Sequence, residues 1–326
     1  MPQESVRPIN PVAEDFAGAS FARMVKRAFH ATRPKFFPAS VLPVVVGTAW
    51  GVYASGQLDV SLFVLALLAT VCVHAASNVL NDVGDETIGT DRRNEQRIYP
   101  YTGGSRFIQT GILSQARMAR LGTGLLVVAA LAGLALFIEK GPTILWFGLA
   151  GIALCVLYSL GPVKLSSLGL GELSVAIGLG VLPVIGAAWL QGAAIDATLF
   201  LYSLPVSAWV AAILLINEVP DIEADGACGK ATLPVRFGLQ GTSRLYLAMQ
   251  ASAFLVILAL TVQGALPLLA PLLPAGLMLL AWRASAAITK GVEEREPMTR
   301  AIESTLAIHT VGCLWLAACA LYSFWW

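Results

Sequence analysis

The sequence predicts an all-α, polytopic membrane protein with about nine transmembrane helices. Hydrophobic residues make up 57% of its 326 positions and charged residues only 13%, about half the charged fraction of an ordinary soluble domain. Apolar runs long enough to cross about 30 Å of hydrocarbon recur along the whole chain. The basic residues collect in alternate segments between these runs, as expected when the loops on one side of a membrane stay in the cytoplasm.

The apolar runs divide the chain into a short polar lead-in and a large membrane domain. Residues 1–36 are expected to form a cytoplasmic N-terminal segment, and residues 37–326 the transmembrane domain. The lead-in has basic residues but no apolar core, which predicts no cleaved signal peptide and a short amphipathic helix on the membrane surface around 21–29. The nine expected spans cover approximately residues 39–54, 60–81, 116–137, 143–160, 171–190, 198–219, 243–264, 266–284 and 303–325.

The distribution of basic residues sets the predicted orientation. With nine spans, only Lys140 of the 21 Lys and Arg residues falls on the side opposite the N-terminus. This asymmetry places the N-terminus in the cytoplasm, because positively charged segments are retained there. We therefore expect an integral protein of a bacterial inner membrane, whose C-terminal residues 324–326 reach the outer interface as an aromatic anchor.

Spans 2 and 6 both end in a cluster of Asn and Asp residues at helical spacing. The members are Asn78, Asp82 and Asp85 in the first cluster, and Asn217, Asp221 and Asp225 in the second. Each set is expected on one face of its helix, and because both spans run toward the cytoplasm, the two clusters should lie at similar depth. Pro220 removes one backbone hydrogen bond inside the second cluster, which predicts a kink or early unwinding there.

Acidic residues beside lipid need a partner, because a carboxylate is costly there unless a cation offsets its desolvation. Mg²⁺ prefers oxygen ligands, keeps several of its waters, and binds through a few carboxylates together with phosphate oxygens. Two facing clusters therefore predict Mg²⁺ ions held between opposing helices, with a diphosphate bridging them. The basic residues expected to balance the phosphate charge are Arg33, Lys35, Arg106, Lys164, Lys230 and Arg236.

The two clusters belong to longer motifs. The first reads Asn81-Asp82-x-x-Asp85, with Asp91 six residues later. The second reads Asp221-x-x-x-Asp225, followed by Gly229-Lys230-x-Thr232-Leu233-x-Val235-Arg236-x-Gly238. Together they resemble the two Asp-rich motifs of the UbiA superfamily of intramembrane aromatic prenyltransferases, and the resemblance covers nearly all of the chain. It implies nine transmembrane helices around a central cavity and Mg²⁺ as cofactor. The implied partners are a polyprenyl diphosphate donor, an aromatic acceptor and membrane lipids, and no nucleic acid.

Three further features resemble the 1,4-dihydroxy-2-naphthoate polyprenyltransferase branch of that superfamily, which serves menaquinone synthesis. The first is the wide, six-residue spacing from Asp85 to Asp91, and the second is the glycine-rich segment 102–111. The third is Arg33-Pro34 before span 1 together with residues 169–172 at the start of span 5. One departure is Asn217-Glu218-x-Pro220, which replaces a more familiar Asn-Asn-x-Arg and leaves the acceptor open. A related prenyltransferase that acts on another quinone precursor or on a lipid is therefore the alternative.

The resemblance also implies roles for individual residues. Those implied to act in catalysis are Asp82, Asp85, Asp221, Asp225 and Lys230, the four aspartates through Mg²⁺, with Asp91 as a further metal ligand or loop-ordering carboxylate. Those implied to hold the diphosphate or the ligand geometry are Asn78, Asn217, Arg33, Arg106, Lys164 and Arg236. Lys164, Lys230 and Arg236 in particular would stabilise the departing diphosphate. With a dihydroxynaphthoate acceptor, the hydroxyls make the ring carbon nucleophilic and loss of CO₂ follows alkylation.

A cation transporter or exchanger is the alternative from another functional class, because intramembrane acids on two related helices would suit ion passage. Against it, these acids cluster at the cytoplasmic helix ends, and the Gly-Lys and Arg segments that follow would repel a cation but attract a phosphate. A purely structural scaffold gives no reason to keep so many acids against lipid. The sequence therefore favours an enzyme.

Overall fold

The structure of the chain is a computed structural model that describes residues 11–161 and 163–325. Within those residues every regular element is a helix and no strand is found, which confirms the predicted all-α class. The principal helices are α1 (Phe21–Ala31), α2 (Pro38–Ser55), α3 (Val60–Ile88), α4 (Gln115–Lys140), α5 (Thr143–Ser159), α6 (Gly171–Leu190), α7 (Ala197–Asn217), α8 (Ile222–Ala227), α9 (Leu233–Val262), α10 (Leu272–Lys290) and α11 (Arg295–Trp325).

Eight helical segments of the described chain are long and apolar enough to cross a membrane. They contain α2, α3, α4, α6, α7 together with α8, α9, α10 and α11. The fourth expected span corresponds to α5, an apolar helix of only 17 residues. Each of the nine expected spans therefore overlaps a helix, eight of them long and one short, although the eighth span, expected at 266–284, is found at Leu272–Lys290.

Three helices extend well beyond their predicted apolar runs. α3 continues past residue 81 to Ile88, α9 begins at Leu233 instead of residue 243, and α11 begins at Arg295 instead of residue 303. Polar residues continue the helical backbone at these ends, where hydropathy gives no sign of a helix. In α9 the extension is broken at Gly238, whose φ of 62° is not helical and suits a residue without Cβ.

Small residues let α2, α6 and α7 approach one another closely. A Cβ atom built on Gly47 of α2 would collide with the carbonyl of Val184 on α6, and one on Gly180 of α6 would collide with Ser207 on α7. Such backbone approach through glycine is typical of helix interfaces in membranes. On either side of this group, α3 packs mainly against α4, and α11 packs against α2 and α10.

The expected amphipathic helix of the lead-in is present as α1. Ser20 caps its first turn by accepting a hydrogen bond from the backbone N–H of Arg23 (3.3 Å), and Phe21, Met24 and Phe29 are exposed. This exposed apolar face suits a helix that lies on a membrane surface, which stays a prediction. The side chains of the predicted anchor at 324–326 lie outside those that the structure describes.

Candidate active site

The two Asn/Asp clusters meet at one cavity of about 140 Å³, next to the ends of α3 and α7. The predicted site residues that line this cavity are Arg33, Asn78, Asp85, Asp91, Asn217, Asp221, Asp225 and Lys230. Apolar side chains from α6 and α7 complete the wall, so the site is polar on one side and apolar on the other. Residues from both predicted motifs therefore share one site, which we call the polar cavity.

Asp82 lies behind the wall of the polar cavity, where a glycine-rich loop covers it. Its side chain is only 1% exposed, and its Oδ2 accepts hydrogen bonds from the backbone N–H of Ser105 (3.1 Å) and from the Ser105 hydroxyl. Its Oδ1 has no hydrogen-bond partner among the described residues. A Cβ atom on Gly104 would lie 2.9 Å from that oxygen and 2.6 Å from Oδ2 of Asp91. Gly104 therefore allows two carboxylates to approach the same point.

Asp91 is the buried carboxyl of the loop that follows α3. Burial raises the pKa of the Asp91 carboxyl well above its usual range, and repulsion from Asp85 and Asp82 raises it further. Arg106 donates to the backbone carbonyl of Asp91, whereas Gln109 Nε2 lies 3.4 Å from its carboxylate. Arg106 thus orders this loop and is not among the residues described as lining the cavity. A cation brought to the cavity would favour the charged form of Asp91.

The second cluster is divided by the break predicted at Pro220. α7 ends at Asn217, and α8 begins only after a single 3₁₀ turn that contains Pro220. Asp221 at the end of this turn accepts hydrogen bonds from Asn94 Nδ2 (2.5 Å) and from the backbone N–H of Gly103 (3.4 Å). The loop after α3 therefore binds both clusters, through Ser105 in one case and through Asn94 and Gly103 in the other.

Lys230 joins the two clusters by ion pairs. Its Nζ lies 2.8 Å from Oδ1 of Asp85 and 3.2 Å from Oδ1 of Asp225. Burial alone would lower the pKa of Lys230, but attraction to these two carboxylates outweighs it and raises the pKa above the ordinary value for lysine. A fixed positive charge therefore stands between the clusters.

The donor set of the cavity fits Mg²⁺ that arrives with a phosphate ligand. The candidate ligands are all oxygens, and the side-chain oxygens Asp82 Oδ1 and Asn217 Oδ1 are buried with no partner in the described part of the chain. Across residues 11–161 and 163–325, no three His, Cys, Asp or Glu side chains converge into a preassembled metal cluster. Mg²⁺ needs no such cluster, because it binds through a few carboxylates and completes its shell with water and phosphate oxygens.

The expected phosphate-binding basic residues separate into two groups. Arg33 lines the polar cavity, and its Nη2 donates to the backbone carbonyl of Tyr101 (2.7 Å). Arg236 is exposed, and its guanidinium donates a hydrogen bond to the backbone carbonyl of Leu168 (2.8 Å). Leu168 ends the short 3₁₀ turn Leu165–Leu168, and Lys164 directly precedes this turn. Neither Lys164 nor Arg236 is described as lining the cavity, so this structure does not support their expected contact with the diphosphate. Arg236 instead fastens the loop before α6.

Several residues of the site carry no signal in the spacing of the motifs. Asn94, Gly103 and Ser105 reach the clusters only because the loop after α3 folds back over them. His74, one turn before the first cluster, lines the cavity and is held by a 3.0 Å hydrogen bond with Ser40, so it is both a packed and a wall residue. The resemblance of segment 102–111 to a family motif was the only indication of this loop in the sequence.

The fold places a cavity lined by aspartates and a buried lysine at the ends of apolar helices, and comparison with known proteins identifies the family of the chain. The UbiA prenyltransferase family matches residues 40–301. The chain therefore belongs to this family and is a prenyltransferase embedded in a membrane. Family membership decides against the cation transporter and the structural scaffold.

The chain is similar to relatives with two different names. The chain is 34% identical to the 1,4-dihydroxy-2-naphthoate octaprenyltransferase of Haemophilus influenzae, covering 66% of this chain and 70% of the relative. It is also 34% identical to the Escherichia coli enzyme of the same name, covering 70% of this chain and 73% of the relative. It is 31% identical to UbiA prenyltransferase domain-containing protein 1 of Xenopus tropicalis, covering 73% of this chain and 69% of the relative.

Solved structures share the fold. A UbiA homolog from Aeropyrum pernix, in its apo form, superposes with a TM-score of 0.67 at 20% identity and covers 88% of this chain and 97% of its own. A UbiA homolog from Archaeoglobus fulgidus bound to DMAPP and Mg²⁺ gives a TM-score of 0.59 at 16% identity and covers 90% of this chain and 99% of its own. At these identities the likeness establishes the architecture alone.

Proposed function

We propose that this prenyltransferase transfers a polyprenyl group from an isoprenoid diphosphate to 1,4-dihydroxy-2-naphthoate, with Mg²⁺, in menaquinone biosynthesis. The observation that carries the proposal is the convergence of both Asp clusters and Lys230 on one polar cavity. The acceptor is taken from the names of relatives at 34% identity. The proposed setting is a bacterial inner membrane with the cavity on the cytoplasmic side, supported by the distribution of basic residues.

The diphosphate end of the donor is proposed to bind in the polar cavity. The residues that would hold Mg²⁺ there are Asp82, Asp85, Asp91, Asp221 and Asp225, and Asn78 and Asn217 would hold the ligand geometry. Mg²⁺ bound there would withdraw charge from the diphosphate and make it a better leaving group. Lys230 and Arg33 would add fixed positive charge on the same oxygens. Arg106 would act indirectly, by ordering the backbone at Asp91.

The hydrocarbon tail of the donor is proposed to occupy a second, apolar cavity of about 430 Å³. This tail cavity is lined mainly by residues of α3, α4, α5 and α6, and the glycines Gly133, Gly148 and Gly178, which have no side chain, leave the space open. Leu179 lines both cavities, so the tail cavity adjoins the polar one. A diphosphate bound at the aspartates would therefore direct its tail between apolar helices, as a polyprenyl group requires.

The transfer itself exchanges one bond for another. The bond between the first prenyl carbon and the diphosphate oxygen breaks, and a new carbon–carbon bond forms to the acceptor ring. With a 2-carboxylated acceptor, the new bond forms at the carbon that carries the carboxylate, and the bond from that carbon to the carboxylate then breaks. Its electron pair returns to the ring as CO₂ leaves, so the ring becomes aromatic again and keeps its hydroxyls. The chain's own residues bind both substrates, stabilise the leaving diphosphate and exclude water from the electron-deficient prenyl carbon.

The test is prenyl transfer by the purified protein in detergent. Geranylgeranyl diphosphate is offered with 1,4-dihydroxy-2-naphthoate or with 4-hydroxybenzoate, in Mg²⁺ or in EDTA. A decarboxylated prenyl-naphthalenediol formed only in Mg²⁺ and only from the first acceptor is the expected result. Transfer to 4-hydroxybenzoate alone, or to neither acceptor while the donor still binds, would overturn the acceptor and favour the alternative that Glu218 and Pro220 suggest.

A further inference from the structure

Two buried glutamates stand beside the polar cavity without a role in the diphosphate site. Glu172 belongs to the first turn of α6 and is 3% exposed, and Glu218 directly follows α7 and is 8% exposed. Their carboxyl groups approach each other. The two carboxyl groups share a hydrogen bond, and no other side chain in the described part of the chain donates a hydrogen bond or forms an ion pair with either Glu172 oxygen or with Oε2 of Glu218.

A hydrogen bond shared between two carboxyl groups leaves further acceptor sites on both of them, and at this depth those sites need a partner as well. A buried polar group without a hydrogen bond costs about 1–3 kcal/mol, and more when it is charged. Of the two cationic side chains that line the cavity, Lys230 is already paired with Asp85 and Asp225, and Arg33 donates to the backbone carbonyl of Tyr101. The remaining acceptor sites are therefore available to a bound ligand that can donate a hydrogen bond.

The surroundings of Glu218 indicate which kind of ligand would fit. Glu218 lines the polar cavity, and so do the apolar side chains of Val175, Leu179 and Leu214. Tyr158 lies on the same wall. A cavity wall that combines a carboxyl group with apolar side chains suits a flat aromatic ring that carries a hydroxyl group, because the ring packs on the apolar part while the hydroxyl donates to the carboxyl oxygen.

We propose that Glu218 accepts a hydrogen bond from a ring hydroxyl of the aromatic acceptor, and that Glu172 is a positioning residue that holds Glu218. The proposal rests on the proposed function and names the residue that recognises the acceptor. A hydrogen bond accepted from a ring hydroxyl raises the electron density of the ring, so the carbon that attacks the prenyl group becomes more nucleophilic. The proton stays on the hydroxyl oxygen, and no further reactant is needed. A site built around this contact rejects acceptors that lack the hydroxyl.

The test compares acceptors with and without the hydroxyl in matched variants. Glu218→Met removes the carboxyl oxygens at similar side-chain length, Glu218→Gln keeps the shape without the charge, and Glu172→Gln tests the positioning residue. Glu223→Gln is the control, because Glu223 is an exposed glutamate of α8 that does not belong to the described cavity wall. Each protein is assayed with 1,4-dihydroxy-2-naphthoate and with its two monohydroxy analogues.

In the wild type, one monohydroxy analogue should show a kcat/KM about 10- to 100-fold lower, the range that follows from leaving a buried carboxyl oxygen without its hydrogen bond. Glu218→Met should lose a similar factor with the full acceptor and show little further loss with that analogue, while the KM for the donor stays unchanged. The kcat/KM of Glu218→Gln should lie between those of the wild type and Glu218→Met. Glu172→Gln should raise only the KM for the acceptor, and Glu223→Gln should match the wild type.

The proposal and the proposed function fail in different ways. If Glu218→Met still binds the donor in Mg²⁺ and keeps the wild-type preference for the hydroxylated acceptor, the role of Glu218 is refuted and the function stands. If Glu218→Met does not bind the donor, Glu218→Gln takes its place, and an unchanged preference in that variant refutes the role in the same way. If the wild type transfers a prenyl group to no aromatic acceptor, the proposed function is refuted and the role of Glu218 with it.

Discussion

Replacing Gly104 with alanine tests whether activity depends on the positions of the Asp82 and Asp91 carboxylates, apart from the stability of the loop that covers them. Gly104 has a φ of 71°, and an alanine there meets Oδ2 of Asp91 at 2.6 Å and Oδ1 of Asp82 at 2.9 Å, although ordinary contacts begin at 3.4 Å. The left-handed backbone costs an alanine about 1–2 kcal/mol in any surroundings. The added clash must also displace at least one carboxylate. Displacement of a catalytic group by roughly 1 Å costs about 100-fold in rate.

Gly111 supplies the matched control for this change. It belongs to the same loop and has a φ of 72°, but a Cβ atom there meets nothing within 4 Å. Both alanine variants should lower the free energy of unfolding through the same backbone strain, and Gly104→Ala should lower it further through the clash. Only Gly104→Ala should also lower kcat/KM for prenyl transfer, by about 100-fold, and raise the Mg²⁺ concentration needed for half-maximal rate. Equal activity losses in the two variants would refute the reasoning, because backbone strain alone would then explain both.

Three further outcomes are expected from the same site. Lys230→Met should lower kcat by at least about 100-fold, the loss typical when one preorganised electrostatic group is removed, whereas Lys290→Met, which breaks an exposed ion pair, should leave it unchanged. Asp221→Ala should abolish turnover while the protein still inserts into membranes, and unchanged activity would exclude Asp221 from the metal site. Gly148→Leu should shorten the longest donor tail that the enzyme uses, as seen by chain-length profiling of products, and Gly124→Leu, another helical glycine with open space, should not.

The sequence was sufficient for features that depend on local spacing. The apolar runs locate the helices, and the direction of spans 2 and 6 places the two clusters at the same end of the helices. The break at Pro220 follows from the missing backbone donor and the clash of its ring with the preceding turn. These inferences require no knowledge of how distant segments meet.

Features that depend on the path of a loop could not be predicted in this way. Ser105 and Asn94 contact the clusters across 23 and 127 positions, and no periodicity relates them to their partners. For the same reason, Lys164 and Arg236 looked like phosphate ligands in the sequence although neither belongs to the described cavity wall. The polar ends of α9 and α11 were missed because hydropathy follows the hydrocarbon, whereas the helical backbone continues beyond it.

The central claim is that the two Asp clusters form one Mg²⁺-dependent diphosphate site, and calorimetric titration with geranylgeranyl diphosphate tests it most directly. The purified protein is titrated without acceptor, in Mg²⁺ and in EDTA, beside Asp85→Asn and Asp221→Asn, which each alter one cluster. We expect binding in Mg²⁺ that is lost in EDTA and weakened in both variants. Equal binding in Mg²⁺ and EDTA, or wild-type affinity in either variant, would contradict the shared site.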